Sequence, residues 1–324
     1  MSTTLEYGLR PKDYRLPDES HLGAVRLQVS DLERSVEWYQ AVLGLDVAEK
    51  TATTASLALK GTEEQIPRGV YPEPKSGSLG SLRMTQRRAQ DDSVLIELRE
   101  KKGIRPVPRS GLLGLYHYAI LLPDRLALGR FIGHLARLGM HAGMSDHFVS
   151  EAVYINDPDG LGIEVYSDRP RTSWKVEDRQ LSMSTLPLNA RALVEAAGDE
   201  AWAGLPKGTV IGHVHLFVGD IDRAAGFYHD LVGFDKVVWS YPGALFMSAG
   251  GYHHHLGTNI WAAQAPPASD NDAKLIEWEI VVPRASDVSA VEASVKKGAP
   301  VEREGDSILL RDPWGTAVRV RAEA

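Results

Sequence analysis

A chain built from copies of one unit has its architecture set by that unit, and this sequence carries the same unit four times. Residues 25–46 (VRLQVSDLERSVEWYQAVLGLD) and 214–235 (VHLFVGDIDRAAGFYHDLVGFD) are the clearest copies. They share Val29/Val218, Asp31/Asp220, Arg34/Arg223, Tyr39/Tyr228, Gly44/Gly233 and Asp46/Asp235. Each reads as a strand, then an Asp at the start of an amphipathic helix, then a Gly at its end. The spacing of Val36, Tyr39, Val42 and Leu43 puts them on one helix face. Residues 115–140 and 275–300 are fainter copies, each a strand ending at Pro123 or Pro283 and followed by a helix. Both lead to the same turn and strand, DPDGLGIEVY and DPWGTAVRVR. The order is therefore four units of strand, helix and several strands, an α+β chain.

Bulk properties narrow the function. With 324 residues, 43% of them hydrophobic, the chain can bury ample core and form more than one domain. A net charge of −7 and the lack of a Lys/Arg cluster argue against a nucleic-acid partner. The absence of cysteine excludes disulfides, thiol catalysis and Cys-ligated metals. No basic start followed by an apolar stretch marks an export signal, and no apolar run reaches the ~18–20 residues that span a bilayer. The expected setting is cytoplasmic, with no membrane partner; a homo-oligomer is left open.

Chemistry concentrates in DHFVSEAVYINDPDGLGIEVY, residues 146–166, which spaces His147, Tyr154 and Glu164 by seven and ten residues around a tight turn. The strand after the turn carries Glu164 on the face of Gly162 and Tyr166, opposite Ile163 and Val165. Such a carboxylate is either on a solvated outer face or buried, and if buried it needs a cation, a proton or water.

This run resembles the signature of extradiol ring-cleaving dioxygenases of the vicinal oxygen chelate superfamily: a His, a spacer, an apolar residue and Tyr, Asp-Pro, Gly, and a metal-binding Glu. The matching residues are His147, Val153, Tyr154, Asp157, Pro158, Gly160 and Glu164, with Ser145 departing from the family's usual choice two before the His. The resemblance implies four βαβββ modules whose sheets curl pairwise into two open cups, the glyoxalase/bleomycin-resistance/dioxygenase fold. The modules are expected at 21–102, 112–170, 209–264 and 272–324. A linker, 171–208, carries a short helix near Asn189–Ala197, and a long loop, 62–92, interrupts module one. Neither segment is given a chemical role.

In this superfamily a cup draws its metal ligands from the first strands of two modules and the last strand of one. Aligning the modules puts Ala24, His117, His213 and Glu277 at the first-strand position, and Glu164 and Arg319 at the last-strand position of modules two and four. Pairing in sequence order leaves both cups incomplete. Pairing module two with three gathers His117, Glu164 and His213, and leaves Ala24, Glu277 and Arg319 to modules one and four. Relatives use both pairings; the crossed one is expected here. Two His and one carboxylate form the facial triad of non-haem Fe(II) oxygenases, and Mn(II) suits the same ligands.

By the same resemblance, His147 and Tyr154 donate hydrogen bonds to a bound catecholate and to oxygen-derived groups. His254, in GGYHHHLGTNIWA (250–262), read as a strand, is expected to act as acid–base catalyst, with His253 and His255 facing away from it. A register error of one residue would bring in His255 instead. His215, two residues after His213, is expected to line the pocket. The implied activity is cleavage of a catechol-type ring by O2 beside its two hydroxyls, to a yellow semialdehyde, as in aromatic hydrocarbon catabolism. A glyoxalase-like isomerase or transferase and a metal-free binding protein are the alternatives on this fold.

Overall fold

The computed structural model describes residues 7–61 and 94–323; the 62–92 segment lies outside them. Module one comprises β1 (His21–Val29), α1 (Leu32–Val42), β2 (Asp46–Lys50), β3 (Thr54–Ala58) and β4 (Val94–Glu100). Module two comprises β5 (Gly114–Leu121), α2 (Arg125–Arg137), β6 (Gly143–Asp146), β7 (Ser150–Asn156) and β8 (Gly162–Asp168). Between modules two and three run the short strands β9 (Val176–Glu177), β10 (Gln180–Leu181) and β11 (Leu186–Pro187), then α3 (Ala190–Ala197). Module three has β12 (Val210–Phe217), α4 (Ile221–Ala225), which continues as a π-helical turn through Val232, β13 (Asp235–Val238), β14 (Ala244–Ser248) and β15 (Leu256–Asn259). Module four has β16 (Lys274–Val282), α5 (Ala285–Val295), β17 (Val301–Glu304), β18 (Ser307–Arg311) and β19 (Ala317–Ala322).

Local chemistry sets these boundaries. Asp31, Asp124 and Asp220 each sit in extended backbone and accept the amide N–H three residues on, capping α1, α2 and α4. Each such cap contributes about 1 kcal/mol. Gly44 and Gly233 then take positive φ (71° and 102°) where the chain leaves the helix. The face predicted for α1 is the buried one: Val36, Tyr39, Val42 and Leu43 all lie in the main core.

Besides the small β9–β10 pair, two large sheets form, and both are crossed. One runs β17-β18-β19-β16-β1-β4-β3-β2 and joins modules one and four; the other, β11-β6-β7-β8-β5-β12-β15-β14-β13, joins modules two and three. The joins are antiparallel, β1 against β16 and β5 against β12. Sequence neighbours meet instead through their helices. The Tyr39 hydroxyl of α1 donates to Asp157 in the turn of module two (3.3 Å), and Tyr228 donates to Asp312 in the turn of module four (3.1 Å). Asp159 reinforces the first contact, accepting from the Ser30 amide and hydroxyl (2.7 Å each) and from Arg34 (2.6 Å). The repeated Tyr and Asp thus hold modules together rather than serving the site.

One expectation fails. Residues 250–255 are not strand: β15 begins only at Leu256. Gly250 and Gly251 both adopt positive φ (59° and 61°), which breaks the extended chain and folds the three histidines into a turn.

Candidate metal centre

In each module the first and last strands run side by side in parallel, and their registers define the positions around a cup. Opposite partners are Arg26 and Glu97 in module one, Ala119 and Glu164 in two, His215 and Gly257 in three, and Glu279 and Arg319 in four. Two residues earlier on the first strands stand Ala24, His117, His213 and Glu277. The cup of modules two and three therefore holds two imidazoles and a carboxylate at its floor. At the fourth corner, a Cβ on Gly257 would lie 2.9 Å from the His215 ring, so the absence of a side chain there makes room for that ring.

His117, Glu164 and His213 are buried, exposed by only 4%, 3% and 1%. The Nε2 atoms of His117 and His213 lie 3.0 and 3.2 Å from one oxygen, Glu164 Oε2. Candidate ligand atoms of the three residues fall within 4.8 Å of one another, the one such grouping among the described residues. His117 Nε2 is close to that oxygen but makes no aligned hydrogen bond, and neither His117 Nδ1 nor His213 Nδ1 has a partner. Buried polar atoms are nearly always satisfied, so an orphaned Nε2 aimed at a carboxylate marks a place for a cation.

Electrostatics agree. Burial pushes Glu164 upward, but the His213 and His117 rings beside it outweigh this and hold it well below the usual carboxylate range. Burial pushes His213 down to about 4, leaving it the neutral imidazole that ligates metals. A buried carboxylate is costly without a positive partner. The donor set fits a divalent first-row ion with open coordination positions.

Above this floor opens a cavity of about 370 Å³. Phe246, Tyr241, Trp261 and Tyr116 supply aromatic walls, and Tyr154, His147, His215 and His254 supply polar edges. Burial raises the Tyr154 phenol well above its usual value, so it keeps its proton. His147 Nδ1 faces the Ser184 carbonyl at 2.6 Å, and a carbonyl only accepts, so the ring proton is on Nδ1. His147 Nε2 then accepts from the Tyr154 hydroxyl at 2.7 Å. The two residues expected to donate to substrate are here bonded to each other. His215 lines the cavity; its Nε2 accepts from the Asn259 amide at 3.0 Å, which occupies the lone pair a metal would need.

The histidine run departs from strand alternation. His254 lines the cavity and packs on His213 with ring centres 4.0 Å apart. His253 does not face away from it. Their Nδ1 atoms are 2.7 Å apart, and His253 Nε2 lies 2.8 Å from Asp168. His255 is the one that turns away: its Nδ1 accepts the Ala249 amide at 3.2 Å, and it does not line the cavity. The turn, not a β-register, sets these directions. The linker also contributes what its sequence did not suggest, since Met183, Ser184 and Thr185 form part of the wall.

The other cup encloses a cavity of about 350 Å³ whose lining charges pair with one another. Arg26 reaches Glu97 (2.7 Å), Glu279 (2.8 Å) and Glu277; Arg319 grips Glu277 at 2.6 and 3.1 Å, and Arg321 pairs with Glu279 at 3.0 Å. Guanidinium groups stand among the carboxylates there, as a cation would. A larger cavity of about 450 Å³, bordered by Gln28, Lys274 and Trp314, contains none of the candidate ligands.

Known proteins resemble this chain in sequence and in fold. Over 302 residues the chain is 39% identical to Catechol-2,3-dioxygenase of Bacillus subtilis (strain 168), covering 91% of this chain and 95% of that protein. A solved Bacillus subtilis subsp. subtilis str. 168 structure aligns with a TM-score of 0.60 at 12% identity, covering 96% of this chain and 86% of that one. Glyoxalase I from Zea mays aligns with a TM-score of 0.51 at 15% identity, covering 94% and 93%. These two structures share the fold. The family model described as Glyoxalase/Bleomycin resistance protein/Dioxygenase superfamily matches residues 21–165 and 210–319, and the chain belongs to that superfamily.

Proposed function

We propose that this chain opens catechol-type rings beside their two hydroxyls, consuming O2, with Fe(II) held by His117, Glu164 and His213; Mn(II) is the other ion this ligand set suits. The observation that carries the reading is the position of the buried triad, with its orphaned His117 Nε2, beneath an aromatic-walled cavity edged by Tyr154 and His254. The 39% identity to Catechol-2,3-dioxygenase supports the substrate class.

When bound, the ion would hold catecholate and O2 together and carry electrons between them. The chain's own groups do the rest. Phe246, Tyr241 and Trp261 grip an aromatic ring and exclude water, each edge or stacked contact contributing about 0.5–1.5 kcal/mol. The Tyr154–His147 pair orients a substrate oxygen, with Ser184 fixing the His147 tautomer. His254, on the cavity wall beside His213, takes up a proton released by the substrate and returns it to an oxygen derived from O2.

The test is anaerobic loading with Fe(II), addition of catechol or an alkylcatechol, and admission of air. Uptake of O2 matched one-to-one by a yellow ring-opened product supports the reading. No O2 uptake with any catechol, or thiol-dependent isomerisation of an aldehyde adduct instead, overturns it.

A further inference from the structure

Behind His254 lies a chain of hydrogen-bonding groups that nothing in the proposed reaction requires by itself. It begins at Asp168, the last residue of β8, the strand that also carries Glu164. Asp168 Oδ1 lies 2.8 Å from His253 Nε2 and also accepts the Tyr252 hydroxyl at 3.2 Å. His253 is fully buried, clamped between the Tyr252 ring (centres 4.1 Å apart) and the Trp174 ring (5.5 Å). Its Nδ1 meets His254 Nδ1 at 2.7 Å.

Two facing ring nitrogens can share only one proton, so the tautomers along this chain are not independent. A carboxylate only accepts, which puts the His253 proton on Nε2. His253 Nδ1 is then a lone pair, and His254 must supply the proton between them from its own Nδ1. That leaves His254 Nε2 as a lone pair on a residue that lines the cavity and whose one described hydrogen bond is the one to His253.

We propose that Asp168 and His253 are positioning residues that fix His254 in the tautomer whose Nε2 accepts a proton from the cavity. The functional consequence rests on the reaction proposed above; the tautomer itself does not. Trp174 and Tyr252, which hold His253 in plane, lie in the linker and the glycine turn, giving both segments a role in the site.

Asp168→Asn tests this. Its amide would donate to His253 Nε2, moving the His253 proton to Nδ1 and forcing the His254 proton to Nε2. In full-length protein with labelled histidine, ring-nitrogen NMR should show His254 protonated at Nδ1 in the wild type and at Nε2 in Asp168→Asn, with His254→Asn used for assignment. Tyr252→Phe removes the other bond to Asp168 and should leave the wild-type tautomer, which separates the relay from general loosening. In the Fe(II)-loaded protein, Asp168→Asn should lower kcat by about 100-fold with KM for catechol nearly unchanged, and raise O2 consumed per product formed. The same His254 tautomer in both proteins, or an exchanged tautomer with wild-type kcat, overturns the proposal. If the wild type opens no catechol ring, the reading of the reaction fails alone, and the NMR comparison still decides the relay.

Discussion

His213 Nε2 lies 3.2 Å from Glu164 Oε2 although the residues are 49 apart in sequence and belong to different modules. The contact exists because β12 pairs with β5 rather than with a strand of module four, and β5 in turn carries β8 alongside it. The positions that would complete a second site across the β1–β16 seam hold Ala24, Glu277, Glu97 and Arg319 instead.

The two cups should therefore respond differently to matched substitutions. His213→Ala removes a ligand from the floor and should cost at least about 100-fold in metal affinity, with activity lost alongside. Arg319→Ala breaks the two-pronged contact with Glu277 and should lower stability by about 1–3 kcal/mol while leaving turnover intact. Metal content, thermal unfolding and O2 uptake on both variants check this; the reverse pattern would assign the metal to the wrong cup.

Glu164→Gln keeps the shape of the side chain and removes its charge. The amide leaves the two imidazoles without an anionic partner, so bound metal should fall with activity while the fold survives in a strand packed on β5 and β7. Elemental analysis with circular dichroism measures both. Full metal occupancy in a folded variant would remove Glu164 from the ligand set.

A pH effect is expected from the turn between β7 and β8, well apart from metal binding. Burial pushes Asp157 up to about 7, against the amides of Leu161 and Asp159 and the Tyr39 hydroxyl, which favour its charged form. A folded-state value above the unfolded one means the folded chain binds the extra proton more tightly. Stability from this group is present below the unfolded value, near 4 to a first approximation, and is lost as pH rises through about 7. Metal-free protein should thus unfold at lower denaturant as pH goes from about 5 to about 8, and Asp157→Asn should flatten that slope. An unchanged slope in the variant would place the titration elsewhere.

How far the sequence reached depended on whether a feature was written in side-chain type. The crossed pairing was legible because His117, His213 and Glu164 occupy equivalent places in modules that only one arrangement brings together. The helices of modules one and three were legible through Asp31 and Asp220, and those of modules two and four through the strand ends at Pro123 and Pro283. The Ser184 contact was not: it uses a backbone carbonyl, which any residue supplies. The direction of His253 was missed for another reason. Period-2 alternation holds only inside a strand, and the doublet Gly250-Gly251 breaks the extended chain just before the histidines. The Tyr39 and Tyr228 repeats were visible, but their use as bolts between a helix and the next module's turn depends on contacts across the fold.

The last prediction separates the three consecutive histidines by what each touches. An acid–base group typically contributes about 10²–10⁴-fold to rate without holding the metal. His254→Asn should therefore retain the ion and bind catechol, yet slow ring opening and release reduced oxygen species. His255→Asn removes an acceptor from the Ala249 amide in a partly buried site and should cost about 0.5–1.5 kcal/mol of stability with kcat little changed. His253→Asn is not neutral either, because its ring joins Asp168 to His254. It should resemble a weaker His254 defect, with product yield per O2 falling before substrate affinity does. Measuring O2 consumed, yellow product formed and unfolding midpoint for each variant sorts the three. A severe, uncoupled loss at His255 with near-normal His254 would mean that the turn presents the wrong ring. Equal, mild losses at all three would mean that the proton comes from elsewhere in the cavity.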